Sequence, residues 1–155
     1  GRAEQPFTKP AGDLSSLRDR LSQMMWDDVG ILRTEAGLRR GLGALDDMEQ
    51  ELLATGLADG DRAFNLTWHD WMNLESLIAV SKVITRASLA REDSRGAHFR
   101  EDFPETGALD TTTYTQIHQE AAGLAIDMVP VAFSIVKPGD TLINDDAGAP
   151  IAGAE

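Results

Sequence analysis

His98 stands between Arg95 and Arg100, and these three side chains form the one cluster in the chain with catalytic colour. Two guanidiniums and an imidazole so placed could hold a dicarboxylate, because the planar arginine fork matches a carboxylate in a bidentate manner. The same arginines have a structural alternative. Glu92, Asp93, Glu101 and Asp102 lie in the same loop, and pairing with them would pin it in place. Phe99 and Phe103 interrupt the charges, and rings of that size are not normally left in water. The stretch Arg91–Glu105 therefore reads as a loop that docks against something, with Arg95, His98, Phe99, Arg100 and Phe103 as its docking residues.

Other chemistry is poorly supported. His69, His98 and His118 fall on three different predicted elements with no metal-site spacing between them, so no metal ligand is assigned. Gly41-Leu42-Gly43 imitates the start of a dinucleotide-binding turn, but the residues before it read as helix and Asp46 occupies the third glycine position. With no phosphate cradle elsewhere, no cofactor-binding residue is assigned. Asn65-Leu66-Thr67 is formally a glycosylation acceptor, yet Thr67 serves better as a helix cap. Trp68 and Trp71 read as rings closing the end of a bundle.

The elements that must carry the loop follow from apolar spacing. Residues 1–12, with Pro6, Pro10 and Gly12, read as an extended arm or interdomain linker. Asp13 can cap a helix over 14–28, with Leu14, Leu17, Leu21 and Met24 on one side. Thr34 can cap a second helix to Thr55, with Leu38, Leu42, Leu45, Met48 and Leu52 on one face. A third, capped by Thr67 with Asp70 completing the cap, runs to Arg91. It shows two stripes: Leu74, Leu77, Ile78, Ser81, Ile84 and Ser88 on one side, Val80, Val83, Ala87 and Ala90 on the other. Two apolar sides predict two partners and a central position in an antiparallel bundle.

The fold predicted is thus mainly α: an antiparallel three-helix bundle over 13–109, bearing the loop 91–105, then a short β-hairpin and extended tail over 110–143. Thr111–Gln119 and Leu124–Val131 are the hairpin strands, with Pro130 tolerated at a strand end. Phe133–Ile143 reads as a further extended piece around a Pro138-Gly139-Asp140 turn, and 144–155 as disordered.

Composition narrows the classes of function. The chain has 155 residues, 42% hydrophobic and 26% charged, enough for one domain with its own core. A formal charge of −12 argues against a nucleic-acid partner. With no cysteine there is no disulfide and no thiolate or iron–sulfur ligand set in this chain. No apolar run approaches the roughly 20 residues needed to span a bilayer, so no direct membrane insertion is expected.

The run Glu92-Asp93-Ser94-Arg95-Gly96-Ala97-His98-Phe99-Arg100-Glu101-Asp102-Phe103-Pro104 resembles the C-terminal signature loop of the succinate dehydrogenase/fumarate reductase flavoprotein family, to which L-aspartate oxidase is related. Asp93 replaces the family's usual glutamate, and Tyr114 stands about where a tryptophan is usual. A second match is Met25–Arg33, which is similar to the family's M-x-x-x-V-G-x-x-R, and Phe64-Asn65 and Leu74-Glu75 also fall where the family has similar residues. The resemblance implies the C-terminal helical domain of an FAD-dependent dicarboxylate oxidoreductase, either a fragment or one chain of a split enzyme. It implies FAD in the parent enzyme, a flavin-binding domain as partner, an iron–sulfur subunit as a further partner, and a cytoplasmic site with membrane association only through partner subunits. It places the substrate-binding arginines and histidine in preceding domains, so no catalytic residue is carried over. An autonomous acidic helical interaction module without a redox role is the alternative that composition leaves open.

Overall fold

Asp13 accepts a hydrogen bond from the Ser16 amide at 2.9 Å and so starts α1 (Leu14–Val29). Thr34 accepts from the Gly37 amide at 3.1 Å and starts α2 (Glu35–Ala54). Both caps are the predicted ones, and each satisfies an amide that the first helical turn leaves without a partner. The computed structural model describes residues 1–121 and 123–140.

The cap of α3 (Leu66–Ala90) differs from expectation. Asn65, not Thr67, accepts from the Trp68 amide at 2.9 Å, while its own amide group donates to the carbonyls of Asp59 and Asp61 at 3.0 and 2.7 Å. A carboxamide offers two N–H donors beside its acceptor oxygen, so asparagine closes both the helix and the loop before it, whereas a threonine hydroxyl has only one proton to donate. Phe64, with φ of 56°, makes the reversal that brings Asn65 into position.

The three helices share one core. Leu14, Leu17 and Leu21 of α1 meet Leu45, Met48 and Leu52 of α2 and Trp71, Leu74 and Ile78 of α3. Their directions follow from the ion pairs between them. Arg40 reaches Asp28 and Arg20 reaches Glu51, so α2 runs back along α1. Lys82 bridges Asp46 and Glu49 at 2.6 and 2.8 Å while Trp71 Nε1 donates to the Leu52 and Thr55 carbonyls, so α3 runs back along α2. Gly41 belongs to this packing: a Cβ there would lie 3.2 Å from Val29 Cγ2, so its absence lets α2 close on α1.

Two further expectations are corrected. On α3, Trp71, Leu74, Ile78, Ser81, Thr85 and Ser88 face inward, but Leu77, Val80 and Ile84 stay 46%, 56% and 43% exposed. The core residues of α1 and α2 gather on the Trp71–Leu74–Ile78 side. Of the second stripe, Val83 and Ala87 are half-buried, beside the hairpin that follows, and Val80 and Ala90 are exposed, so among the described residues the second side is only partly covered. At the N-terminus, Arg2–Thr8 forms a 3-10 helix rather than an extended arm. Pro6 is buried, Phe7 packs edge-on against Trp68 at 5.0 Å, Trp68 Nε1 donates to the Ala3 carbonyl, and Glu4 pairs with Arg62. Low aliphatic content made this segment read as solvent-borne, whereas rings and ion pairs hold it.

After the loop, β3 (Thr113–Glu120) and β4 (Gly123–Pro130) form the predicted antiparallel hairpin, with Ile117 opposite Ile126 and Pro130 at the strand end. The turn at Lys137–Asp140 is present, with Gly139 at φ of 90°. No strand joins it in residues 131–140, and the expectation of disorder over 144–155 lies outside the described residues. No described helix is long and apolar enough to cross a membrane.

Candidate functional site

The predicted docking loop is not a bare surface excursion. Two short strands, β1 (Leu32–Arg33) and β2 (Phe99–Arg100), pair in parallel and fasten it to the connection between α1 and α2. Leu32 stands opposite Phe99 and Arg33 opposite Arg100, and the Glu101 amide donates to the Arg33 carbonyl at 2.8 Å.

Arg33 is the residue that sequence reasoning placed in a motif but gave no partner. Its Nε donates to the Val29 carbonyl at 3.1 Å, and its Nη1 lies 2.8 Å from His98 Nδ1. A guanidinium can only donate, so Nδ1 accepts, and His98 is the neutral tautomer protonated at Nε2. That Nε2 is buried and makes no hydrogen bond of ordinary geometry among the described residues. Burial first, and then the Arg33 charge, hold the imidazole below its usual range, in agreement with the neutral form.

The two loop arginines act within the chain. Arg100 is 1% exposed. Its Nε and one Nη bind the two Asp102 oxygens at 2.7 and 2.9 Å, and the other Nη donates to the carbonyls of Ser88, Leu89 and Arg91 at 2.9, 3.2 and 3.1 Å. Those carbonyls close α3, where a cation both fills orphan acceptors and opposes the helix dipole. The guanidinium also covers the Phe103 ring, 4.9 Å from its centroid. Arg95 donates to the carbonyls of Thr106 and Ala108 and to the Thr112 hydroxyl, and pairs with Asp93 at 3.5 Å. Ser94, buried, donates to the Phe103 carbonyl at 2.8 Å and accepts from the Arg100 amide at 2.9 Å. The alternative of pairing with Asp93 and Asp102 is therefore the geometry present, and neither arginine is aimed outward to grip a dicarboxylate.

Phe99 and Phe103 are half-buried, and Gly96 takes φ of 54° at the tip. His69 lies on α3 and His118 on β3, between Glu120 and Asp127, apart from His98. Among the described residues, no three histidine or carboxylate groups gather as a metal site. Gly41 and Gly43 sit inside α2, so they form no strand-to-helix phosphate turn.

The two motifs of the family resemblance, Met25–Arg33 and Glu92–Pro104, thus meet through Arg33 and His98. Residues 18–142 match the family model described as fumarate reductase flavoprotein C-term. The chain belongs to this family. Among curated relatives, an uncharacterized FAD-dependent oxidoreductase of Methanocaldococcus jannaschii is 37% identical over 100 residues, which is 61% of this chain and 17% of that protein. L-aspartate oxidase 1 of Ralstonia nicotianae is 34% identical over 88 residues, covering 57% of this chain and 15% of that protein. The solved structure of Mycobacterium smegmatis Sdh1 in complex with UQ1 is similar over 86% of this chain and 22% of that one, at 28% identity with a TM-score of 0.66. This flavoprotein C-terminal domain therefore spans about a sixth of the length of these two curated relatives.

Proposed function

We propose that this chain serves as the C-terminal helical domain of an FAD-dependent oxidoreductase of the succinate dehydrogenase/fumarate reductase type. It supports the flavin-binding domain and shapes subunit contacts, and it supplies no catalytic residue. The parent enzyme exchanges a hydride between FAD and a four-carbon dicarboxylate. An iron–sulfur subunit is its further partner, and it works on the cytoplasmic side, reaching a membrane only through partner subunits.

One observation supports this reading above the rest. Two family motifs are locked together by the hydrogen bond between Arg33 and His98, 65 positions apart, which makes the signature loop a rigid surface feature rather than a ligand pocket. Arg95 and Arg100 shape that surface from within, while His98, Phe99 and Phe103 complete it.

The test is reconstitution. The chain alone is expected to show no flavin absorbance and no dicarboxylate oxidation or reduction. Added to the FAD-loaded remainder of the parent flavoprotein, it should bind and raise the turnover and thermal stability of that remainder. Stoichiometric FAD on the chain alone, or no effect on the remainder, would overturn the proposal.

A further inference from the structure

The C-terminal part of α3 buries hydroxyls and leaves aliphatic groups in solvent. Ser81, Thr85 and Ser88 are 8%, 0% and 6% exposed, while Leu77, Val80 and Ile84 on the adjoining flank of the helix are the exposed ones. A helix with water on its outer side carries its hydroxyls outward and its aliphatic groups inward. Here the inward hydroxyls are tolerated because the helix backbone can receive them: Thr85 donates to the Ser81 carbonyl at 2.7 Å. Among the described residues, the exposed aliphatic groups have no such explanation.

Leu77, Val80 and Ile84 follow helical spacing and form one stripe. Shallow clefts flank it. One, of about 460 Å³, lies beside Arg18, Asn73, Leu77 and Val80. The other, of about 320 Å³, lies between Val80, Val83 and Arg86 on α3 and Gln119 and Leu124 on the hairpin. Val80 lines both, so the apolar surface is continuous, with an arginine beside each cleft.

We propose that this α3 stripe is the principal seat of the flavin-binding part of the parent enzyme, an inference that rests on the functional reading given above. Three observations select that occupant. The family is a flavoprotein C-terminal one, and the chain spans 17% and 15% of the two curated relatives, so most of such a flavoprotein lies outside this domain. A second copy of this chain would bring one formal charge of −12 against another, which opposes self-association through this face. The arginines of the signature loop are committed to Asp93, Asp102 and backbone carbonyls, so adhesion must come from apolar area, and the stripe supplies it. Continuity with the loop also fits, since α3 ends at Ala90 and the loop begins at Arg91.

The experiment titrates the chain against the FAD-loaded remainder of the parent flavoprotein, using wild type, the triple variant Leu77→Gln, Val80→Gln and Ile84→Gln, and a control, Ile135→Gln, at another exposed aliphatic position. The triple variant should bind on the order of a hundredfold more weakly, and the control like wild type. Circular dichroism and the melting midpoint of each chain alone check folding, and Val80→Gln by itself, expected to lose about tenfold, keeps the test decisive if the triple variant misfolds. Wild type binding tightly with every variant equal to it would overturn the stripe as the seat and leave the functional reading standing. Wild type failing to bind would overturn both. Sedimentation of the chain alone is expected to show a monomer; a dimer abolished by Val80→Gln would assign the stripe to a second copy instead.

Discussion

The Oδ2 atom of Asp102 accepts from the Glu35 amide at 2.8 Å, joining the signature loop to the first turn of α2. The same oxygen receives Arg100, whose other Nη holds the last carbonyls of α3. One carboxylate thus couples the start of one helix to the end of another through a buried cation.

Breaking that pair is expected to be costly. Asp102→Asn or Arg100→Ala should each lower the unfolding free energy by about 3–5 kcal/mol, because the partner is left uncompensated and Arg100 is buried. Urea denaturation of the chain alone measures this. A loss under about 1 kcal/mol would mean that the pair behaves as an exposed one. The Arg100 hydrogen bond holds the Asp102 carboxyl well below the usual carboxylate range. Its contribution is therefore full above the unfolded-state value of 3.8 and is lost as pH falls toward its own lower value.

His98 titrates in a milder range. Its pKa is lowered in the folded chain, so the unfolded state binds the proton more readily, and the contribution to stability grows as pH rises through the window below 6.5. Above 6.5 it is fully present, and below the depressed folded value it is gone. His98→Asn keeps an acceptor near Nδ1 and cannot take up a proton. The difference between pH 5 and pH 7 in the denaturation midpoint should therefore shrink in this variant. An unchanged difference would show that protonation of His98 does not oppose folding.

Neighbouring positions on α3 should respond very differently. Ile78→Ala should cost about 2–5 kcal/mol, because Ile78 is 1% exposed in the shared core. Leu77→Ala should cost under about 1 kcal/mol in the isolated chain, because nearly half of Leu77 is already in solvent. Equal losses at the two sites, read from denaturation curves, would contradict the orientation of α3.

Gly56 is the position that admits the N-terminal segment. Its amide donates to the Pro10 carbonyl at 2.7 Å, and a Cβ there would run into the carbonyls of Lys9 and Pro6. Gly56→Ala should release Arg2–Thr8, with faster proteolysis near Lys9 and a change in Trp68 fluorescence as Phe7 leaves its ring. Retained protection would show that the segment can shift to make room.

What the sequence revealed divides by distance along the chain. Asp13 and Thr34 were readable as caps because the amides they serve are three residues away. The hairpin was readable because its strands adjoin a glycine turn and carry β-prone residues. Asn65 was misjudged because its advantage over Thr67 depends on the carbonyls of Asp59 and Asp61, which a local cap rule does not weigh. Arg33 had a recognisable place in a motif, but its partner, His98, lies beyond two helices. For α3, apolar residues on two sides were visible, yet periodicity does not say which side this chain covers. For the loop, composition left both gripping and pinning open, the family resemblance favoured pinning, and the buried Arg100 has the geometry of pinning.

The parallel pairing of β1 with β2 has a kinetic consequence. No local turn can create it, because the chain between Arg33 and Phe99 contains all of α2 and α3. Closing so long a loop costs entropy that four residues of ladder cannot repay until the helices have shortened the path. The signature loop is therefore the closing step of folding. In pulse-labelled refolding, the Glu101 amide should gain protection after Trp71 has left solvent, and a chain whose loop is formed is one whose helices have already found each other.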